Sequence, residues 1–429
     1  MTHLLLQTDA RGVAHAMRVL QDYLPGLDPG LAPVGAREGL LPDATMRALR
    51  LQYGDAQVAP ILRAAGGVDW QRLSETEALD LLLRRDPALL PDRPAAPAGQ
   101  PLWHLDMVRA PQAWAHWGGP SAIDWDTVRV GQVDTGYTTH PAFGFPGAAW
   151  IDVGGGRTMF APGAGTGGPG PGGGIDPIED QMDGHGTRVA SVICGHDPAG
   201  PGAPYLGVAP RVPLVPVRIA NHVLISHAQR ELASALDYLV SAGVSVVNLS
   251  MGFLPRLQMG VLDRAIDRAY EAGVIFVCAA GQPLSSVVSP AHGRRTIAVA
   301  GCTRAGIPWG ESAHGSAVDW TAPAAAITRA QTARNGTFGY AGSGDGTSYA
   351  AAVTTGAAAL WLARRGAEAA ATYPHAWQRV EAFKAVARAT ARPMPNQRPG
   401  SFGAGILDIA ALLDEPLPAP GTLSLEPPA

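Results

Sequence analysis

Three residues of this chain sit in short polar motifs bounded by apolar segments, and their types are those of a nucleophilic hydrolysis. Ser348 lies in GTSYAAA, a Gly-Thr-Ser turn that opens an alanine-rich helix continuing through 353–362. A serine hydroxyl is a weak nucleophile at neutral pH, so it needs a base, a group that orients the base, and donors for the oxyanion. His185, between two glycines in DGHGTRVAS, opens a helix where little bulk obstructs its ring, and Thr187 is placed to help cap that helix. Asp134 follows the apolar run VRVGQV, and a carboxylate at a strand end accepts the Nδ1 proton of a histidine and holds its tautomer. Alone, each motif is an ordinary turn, loop or N-cap. It is the three together, in order, that point to chemistry.

These residues need a scaffold, and the pattern after Trp103 supplies one. Apolar strands at 128–133, 214–219, 244–249, 274–279 and 296–300 alternate with helical patterns at 186–193, 228–242 and 261–272. Strands such as VSVVNLS and VIFVCAA are apolar on both faces, as expected where helices cover both sides of a parallel sheet. The fold class is therefore α/β, a mostly parallel sheet with helices on both faces. Catalytic groups in such sheets gather at the carboxyl ends of the strands.

Ahead of it, residues 1–99 read as a small α or α+β domain. It has a short strand at 4–8 and helices at 13–24, 44–51, 58–65 and 76–83, the last with Ser74 as N-cap and Glu77 as capping-box partner. A Pro/Ala-rich linker over 88–101 separates it from the domain spanning 100–413, and the Pro-rich tail 414–429 is expected to be disordered. The glycine-rich stretch 154–174 reads as a surface insertion.

Composition narrows the partners. A net charge of −4 with 16% charged residues and no basic run argues against nucleic acid, which demands clustered Lys and Arg. In the 429 residues, no apolar run reaches the roughly 18 residues of a membrane span. The start MTHLLLQT lacks the parts of a secretory signal, so a cytoplasmic location is expected. Cys194, Cys278 and Cys302 have no metal-site spacing and read as buried thiols.

The three motifs, with GVAPRVPLVPVRI (207–219) and VVNLSMG (246–252) between them and GAGILDIAALL (403–413) after, resemble the subtilisin-like serine proteases, or subtilases, over roughly 103–413. The two intermediate segments look like the family's central strands and the last like its closing helix. The resemblance implies that Asp134 orients His185, that His185 is the general base and then acid, and that Ser348 attacks the scissile carbonyl of a protein or peptide substrate. It also implies that substrate lies extended and pairs with the edge segment after NLSMG. Ser250, Met251 and Gly252 would then form one wall of the primary specificity pocket and Ala279, Ala280 and Gly281 the other. Val288 would close the floor and favour a small residue before the cut.

Several positions depart from the family pattern. Gln282 stands where the family has the Asn that shares the oxyanion with the amide of Ser348; the donor type survives with one extra methylene. A competing reading follows, in which the chain is a catalytically impaired subtilase that binds peptides. Ala352 replaces a usual Pro, Arg188 a usual His and Ser191 a frequent Gly, all tolerable. No cofactor is required. Calcium is common in the family but unassigned here, the cluster Asp176, Glu179, Asp180 and Asp183 reading as a solvated loop in preference to a metal site. Residues 1–99 have the size and position of a family propeptide, with a regulatory or partner-binding domain as the alternative.

Overall fold

The chain divides into two units, 1–94 and 95–429. The computed structural model describes residues 102–159, 173–178, 182, 184–197, 205–253, 255–282 and 285–428. The strand and helices expected within 1–99, the linker and most of the glycine-rich insertion lie outside the described residues.

In chain order the main elements are α1 (Trp103–Met107), α2 (Ala110–Trp114), β1 (Val130–Asp134), β2 (Arg157–Thr158), α3 (His185–Cys194), β3 (Leu214–Arg218), α4 (Gln229–Ser241), β4 (Val246–Leu249), α5 (Gly260–Glu271), β5 (Ile275–Ala279) and β6 (Ile297–Cys302). They continue with β7 (Trp320–Pro323), β8 (Ile327–Thr332), β9 (Phe338–Gly344), α6 (Thr347–Thr372), α7 (Trp377–Thr390) and α8 (Ile409–Asp414). Seven strands form one sheet in the order β2-β3-β1-β4-β5-β6-β7. Every neighbouring pair in it is parallel. The β8–β9 hairpin stands apart as an antiparallel pair.

Strand alternation divides the core into two layers. Ile275 and Val277 of β5 face one apolar layer with Val189 and Ile193 of α3, Leu360 and Trp361 of α6 and Phe383 of α7. Phe276 and Cys278 face the other, with Leu232 and Leu236 of α4 and Leu262 and Ile266 of α5. Successive strand side chains point to opposite faces, so one continuous apolar run serves both layers. The long helix α6 lies against the loop before β3: a Cβ on Gly356 would come within 2.6 Å of Val208 Cβ, which explains a glycine inside an otherwise alanine-rich helix.

Two expectations are corrected. Within 403–413 only Ile409–Asp414 is helical. Gly403 and Gly405 have positive φ and press against backbone, where a Cβ would meet Asp319 O at 2.3 Å and Arg392 O at 2.2 Å. Ile406 bridges Thr321 and Arg392, and Asp408 begins the helix by accepting from Ala411 N at 3.0 Å. The tail beyond 414 is tied to the core at several points, although Leu425 stays exposed. Leu417 and Leu423 lie on the core, Tyr373 Oη donates to Pro418 O, and the buried Arg295 guanidinium donates to Glu426 O.

Among the described residues no helix is long and apolar enough to cross a membrane. All three cysteines are free and buried, and burial pushes their thiols upward, Cys302 to about 12.

Candidate active site

Asp134 ends β1, a central strand; His185 is the first residue of α3 and Ser348 the second of α6. All three are buried. His185 Nδ1 lies 2.7 Å from Asp134 Oδ1, and His185 Nε2 lies 3.3 Å from Ser348 Oγ. A carboxylate only accepts, so Nδ1 carries the proton and Nε2 is left with a lone pair facing the serine. The Ser348 hydroxyl has a second acceptor, Ser250 O at 3.3 Å, and a separation of this length is usual before substrate tightens the contact.

Gln282, expected to share the oxyanion, is held by one threonine. Thr347 donates to Gln282 Oε1 through its main-chain N–H at 3.1 Å and its hydroxyl at 2.6 Å, while Gly281 N–H donates to the same hydroxyl at 3.0 Å. An N–H can only donate, so the oxygen of the Gln282 amide faces Thr347 and its Nε2 faces away. The space left by the absent side chain of Gly346 is bordered by Gln282 Nε2 at 3.1 Å and Ser348 N at 3.7 Å. Gly346 has φ +152, and a Cβ there would intrude between the two donors. The extra methylene of glutamine is thus taken up by a two-point anchor.

Beneath Ser348 runs a buried polar chain. Thr355 Oγ1 donates to Asn248 Oδ1 at 3.0 Å, Asn248 Nδ2 to Ser250 Oγ at 3.2 Å, and Ser250 Oγ to Ser348 O at 3.1 Å. These contacts tie β4 to the first turns of α6. Of their members the sequence reading had singled out only Ser250 and Ser348. Asn248 carried a signal, a lone amide in the apolar run VVNLS, whereas Thr355 is indistinguishable from its helical neighbours.

Gly252, from one of the expected pocket walls, and Gly281, from the other, both lie against Val288. A Cβ on Gly252 would meet Val288 Cγ2 at 2.5 Å, and one on Gly281 would meet Val288 Cγ1 at 2.7 Å. Met251, Ala279 and Ala280 are buried beside them, and Val288 N–H donates to Ala280 O at 2.9 Å. The edge after NLSMG is not free, contrary to expectation. Gly252 N–H donates to Val223 O at 2.9 Å, and Gly252 O accepts from Ile225 N–H at 3.1 Å. Phe253 pairs both ways with Ser289. The physical reason is Ile225, which is fully buried in the same apolar layer as Met251 and Phe253 and pulls its segment onto the edge.

Other residues fall differently from the sequence reading. Thr187 caps nothing; its hydroxyl accepts from Thr138 N at 2.8 Å. Ser191 accepts from Ala330 N at 2.9 Å and so anchors β8 to α3. His140 is a buried structural histidine, held by Ala142 N and Gly339 O, and burial lowers its pKa. Asp176 is no solvated loop residue: it is buried, Oδ1 accepts from Ile178 N at 2.9 Å and Oδ2 from Thr135 Oγ1 at 2.7 Å and Gly184 N at 3.0 Å. Both of its oxygens accept from protein donors. Glu179, Asp180 and Asp183 lie outside the described residues.

The model of the subtilase family matches residues 127–405. The chain is 29% identical to Subtilisin Savinase of Lederbergia lenta over 260 residues, which are 60% of this chain and 82% of that protein. It is also 29% identical over 260 residues to an alkaline protease of Alkalihalobacillus alcalophilus, where the match spans 58% of the relative's length. Among solved structures, a protease from Pseudoalteromonas arctica superposes with a TM-score of 0.60 at 23% identity, covering 75% of this chain and 99% of the other. MycP1 from Mycobacterium smegmatis gives 0.55 at 22%, covering 78% and 92%, and both are likenesses of fold. With the family model spanning well over half its length, the chain is a member of the subtilase family.

Proposed function

We propose that this chain is a serine endopeptidase that cuts peptide bonds through Asp134, His185 and Ser348. The carrying observation is the continuous contact from Asp134 Oδ1 to His185 Nδ1 at 2.7 Å and from His185 Nε2 to Ser348 Oγ at 3.3 Å. His185 Nε2 takes the hydroxyl proton as Ser348 Oγ bonds to the scissile carbonyl carbon. Asp134 steadies the imidazolium without itself taking the proton. The carbonyl oxygen, now anionic, sits between Ser348 N–H and Gln282 Nε2. His185 then passes its proton to the departing amine nitrogen, leaving an acyl-enzyme that water hydrolyses by the same steps in reverse roles.

The substrate's first residue before the cut enters between 250–252 and 279–281, where Val288 leaves room for a small side chain such as Ala or Gly. A substrate strand that pairs with Gly252 has first to displace Val223 and Ile225. The test is a fluorophosphonate probe: it should label wild type at Ser348 and leave Ser348→Ala unlabelled. A wild type that stays unlabelled, with intact fold, would overturn the proposal.

A further inference from the structure

His185 is flanked by two glycines, Gly184 at φ +67 and Gly186, so neither neighbouring side chain restrains the ring. The main chain there is held from outside instead. Gly184 N–H donates to Asp176 Oδ2 at 3.0 Å, and Gly186 N–H donates to Thr135 Oγ1 at 3.0 Å. Thr135 Oγ1 in turn donates to the same Asp176 oxygen at 2.7 Å. Thr135 directly follows Asp134, and its N–H donates to Asp134 Oδ1 at 2.7 Å. One carboxylate therefore closes a circuit through the residue after Asp134 and the residues on both sides of His185.

Asp176 is itself fixed. Its N–H donates to Tyr137 O at 2.8 Å, Tyr137 N–H donates to Gly174 O at 2.8 Å, and Ile178 N–H donates to Oδ1 at 2.9 Å. Burial pushes its carboxyl upward, against the three donors and the nearby Arg218, which favour the charged form. A buried carboxyl group kept at that expense, with both contacts of its Oδ2 leading to residues beside Asp134 and His185, does more than fill a loop.

We infer that Asp176 is a positioning residue for catalysis, setting through Thr135 and Gly184 the separation of His185 from Asp134 and Ser348. The inference rests on the proposed proteolysis, but its geometry is readable without turnover. A misplacement of about 1 Å in a reacting group can cost about a hundredfold in rate. Asp176→Ala should lower kcat about 10- to 100-fold with KM within about twofold, because the substrate walls lie elsewhere. Thr135→Val should do the same, and the double variant should be no worse than the more damaged single one, since one circuit is broken only once. Asp176→Asn should recover most of the rate: its single carbonyl oxygen serves Thr135 and Gly184, and only the bond to Ile178 is lost.

The activity-independent arm is the downfield proton resonance of His185 Nδ1–H in the full chain, which should shift or broaden in Asp176→Ala and return in Asp176→Asn. An unchanged resonance and unchanged kcat in Asp176→Ala would overturn the inference. So would equal damage from Asn and Ala, or an additive double variant. If Asp176→Ala does not fold, the comparison of Asp176→Asn with Thr135→Val decides by the same criteria. Failure of proteolysis itself would show as a silent wild type with a normal resonance, a distinct result.

Discussion

Shortening Gln282 by one methylene should slow this enzyme even though it restores the residue usual in the family. The Gln282 amide oxygen is held by Thr347 at 2.6 Å through the hydroxyl and 3.1 Å through the N–H, and this hold aims Nε2 toward the space beside Ser348 N. Asparagine withdraws the amide by about 1.5 Å. The shorter contact would then stretch to about 4 Å, outside hydrogen-bonding range. Removing an oxyanion donor altogether costs about 2.7 to 4 kcal/mol, a hundred- to thousandfold in kcat. Gln282→Ala should show that full loss. Gln282→Asn, whose amide can still swing toward the oxyanion without its anchor, should lie between, at about 10- to 100-fold. The assay is kcat and KM on a chromogenic peptide, normalised to sites titrated with a fluorophosphonate. A Gln282→Asn enzyme faster than wild type, or a Gln282→Ala enzyme of normal rate, would refute the reasoning and revive the impaired-site reading.

Three other expectations are open to direct measurement. Val288→Gly should raise kcat/KM for a substrate with Phe or Leu before the cut, relative to Ala, by about 10- to 200-fold, the usual worth of pocket volume; an unchanged ratio would remove Val288 from specificity. Hydrogen exchange should find the Ile225 amide protected in the free protein and faster once a peptide chloromethyl ketone occupies the site, with Gly252 still protected by the peptide; Ile225 protected in both states would mean that the edge is never vacated. His104 is wholly buried with Nε2 at 3.2 Å from Leu206 O, and burial lowers its pKa to about 4 from 6.5. Above pH 6.5 its contribution is fully present, and as pH falls to 4 the unfolded chain takes a proton that the folded one refuses. Stability should therefore drop by about 3 kcal/mol from this group across that window. His104→Leu should flatten the urea midpoint over the same range, and a wild-type slope in the variant would count against it.

Much of the candidate site was legible in the sequence, because its parts are local. A carboxylate ending an apolar strand, a histidine between glycines at a helix start and a serine in a Gly-Thr-Ser turn each announce their backbone setting within a few residues. Strands apolar on both faces, alternating with helical patterns, likewise point to a parallel sheet under two layers of helices, which bury both of its sides. The strand order, however, the strands β7, β8 and β9 and the helix α7 came only with the structure.

What only the tertiary structure decided are the long-range contacts between uncharged or ordinary-looking groups. Thr347 and Gln282 are 65 positions apart, and whether a glutamine suits an oxyanion depends on the hydroxyl that holds its other end. In the sequence Asp176 is one of four acids on a loop, but in the structure two of its donors, Thr135 and Gly184, flank Asp134 and His185. Ile225 looked like any apolar residue, yet its burial closes the edge at Gly252. Local pattern determines which chemistry a chain is equipped for. The placement of donors across the fold sets how well that chemistry is aligned and how freely substrate reaches it.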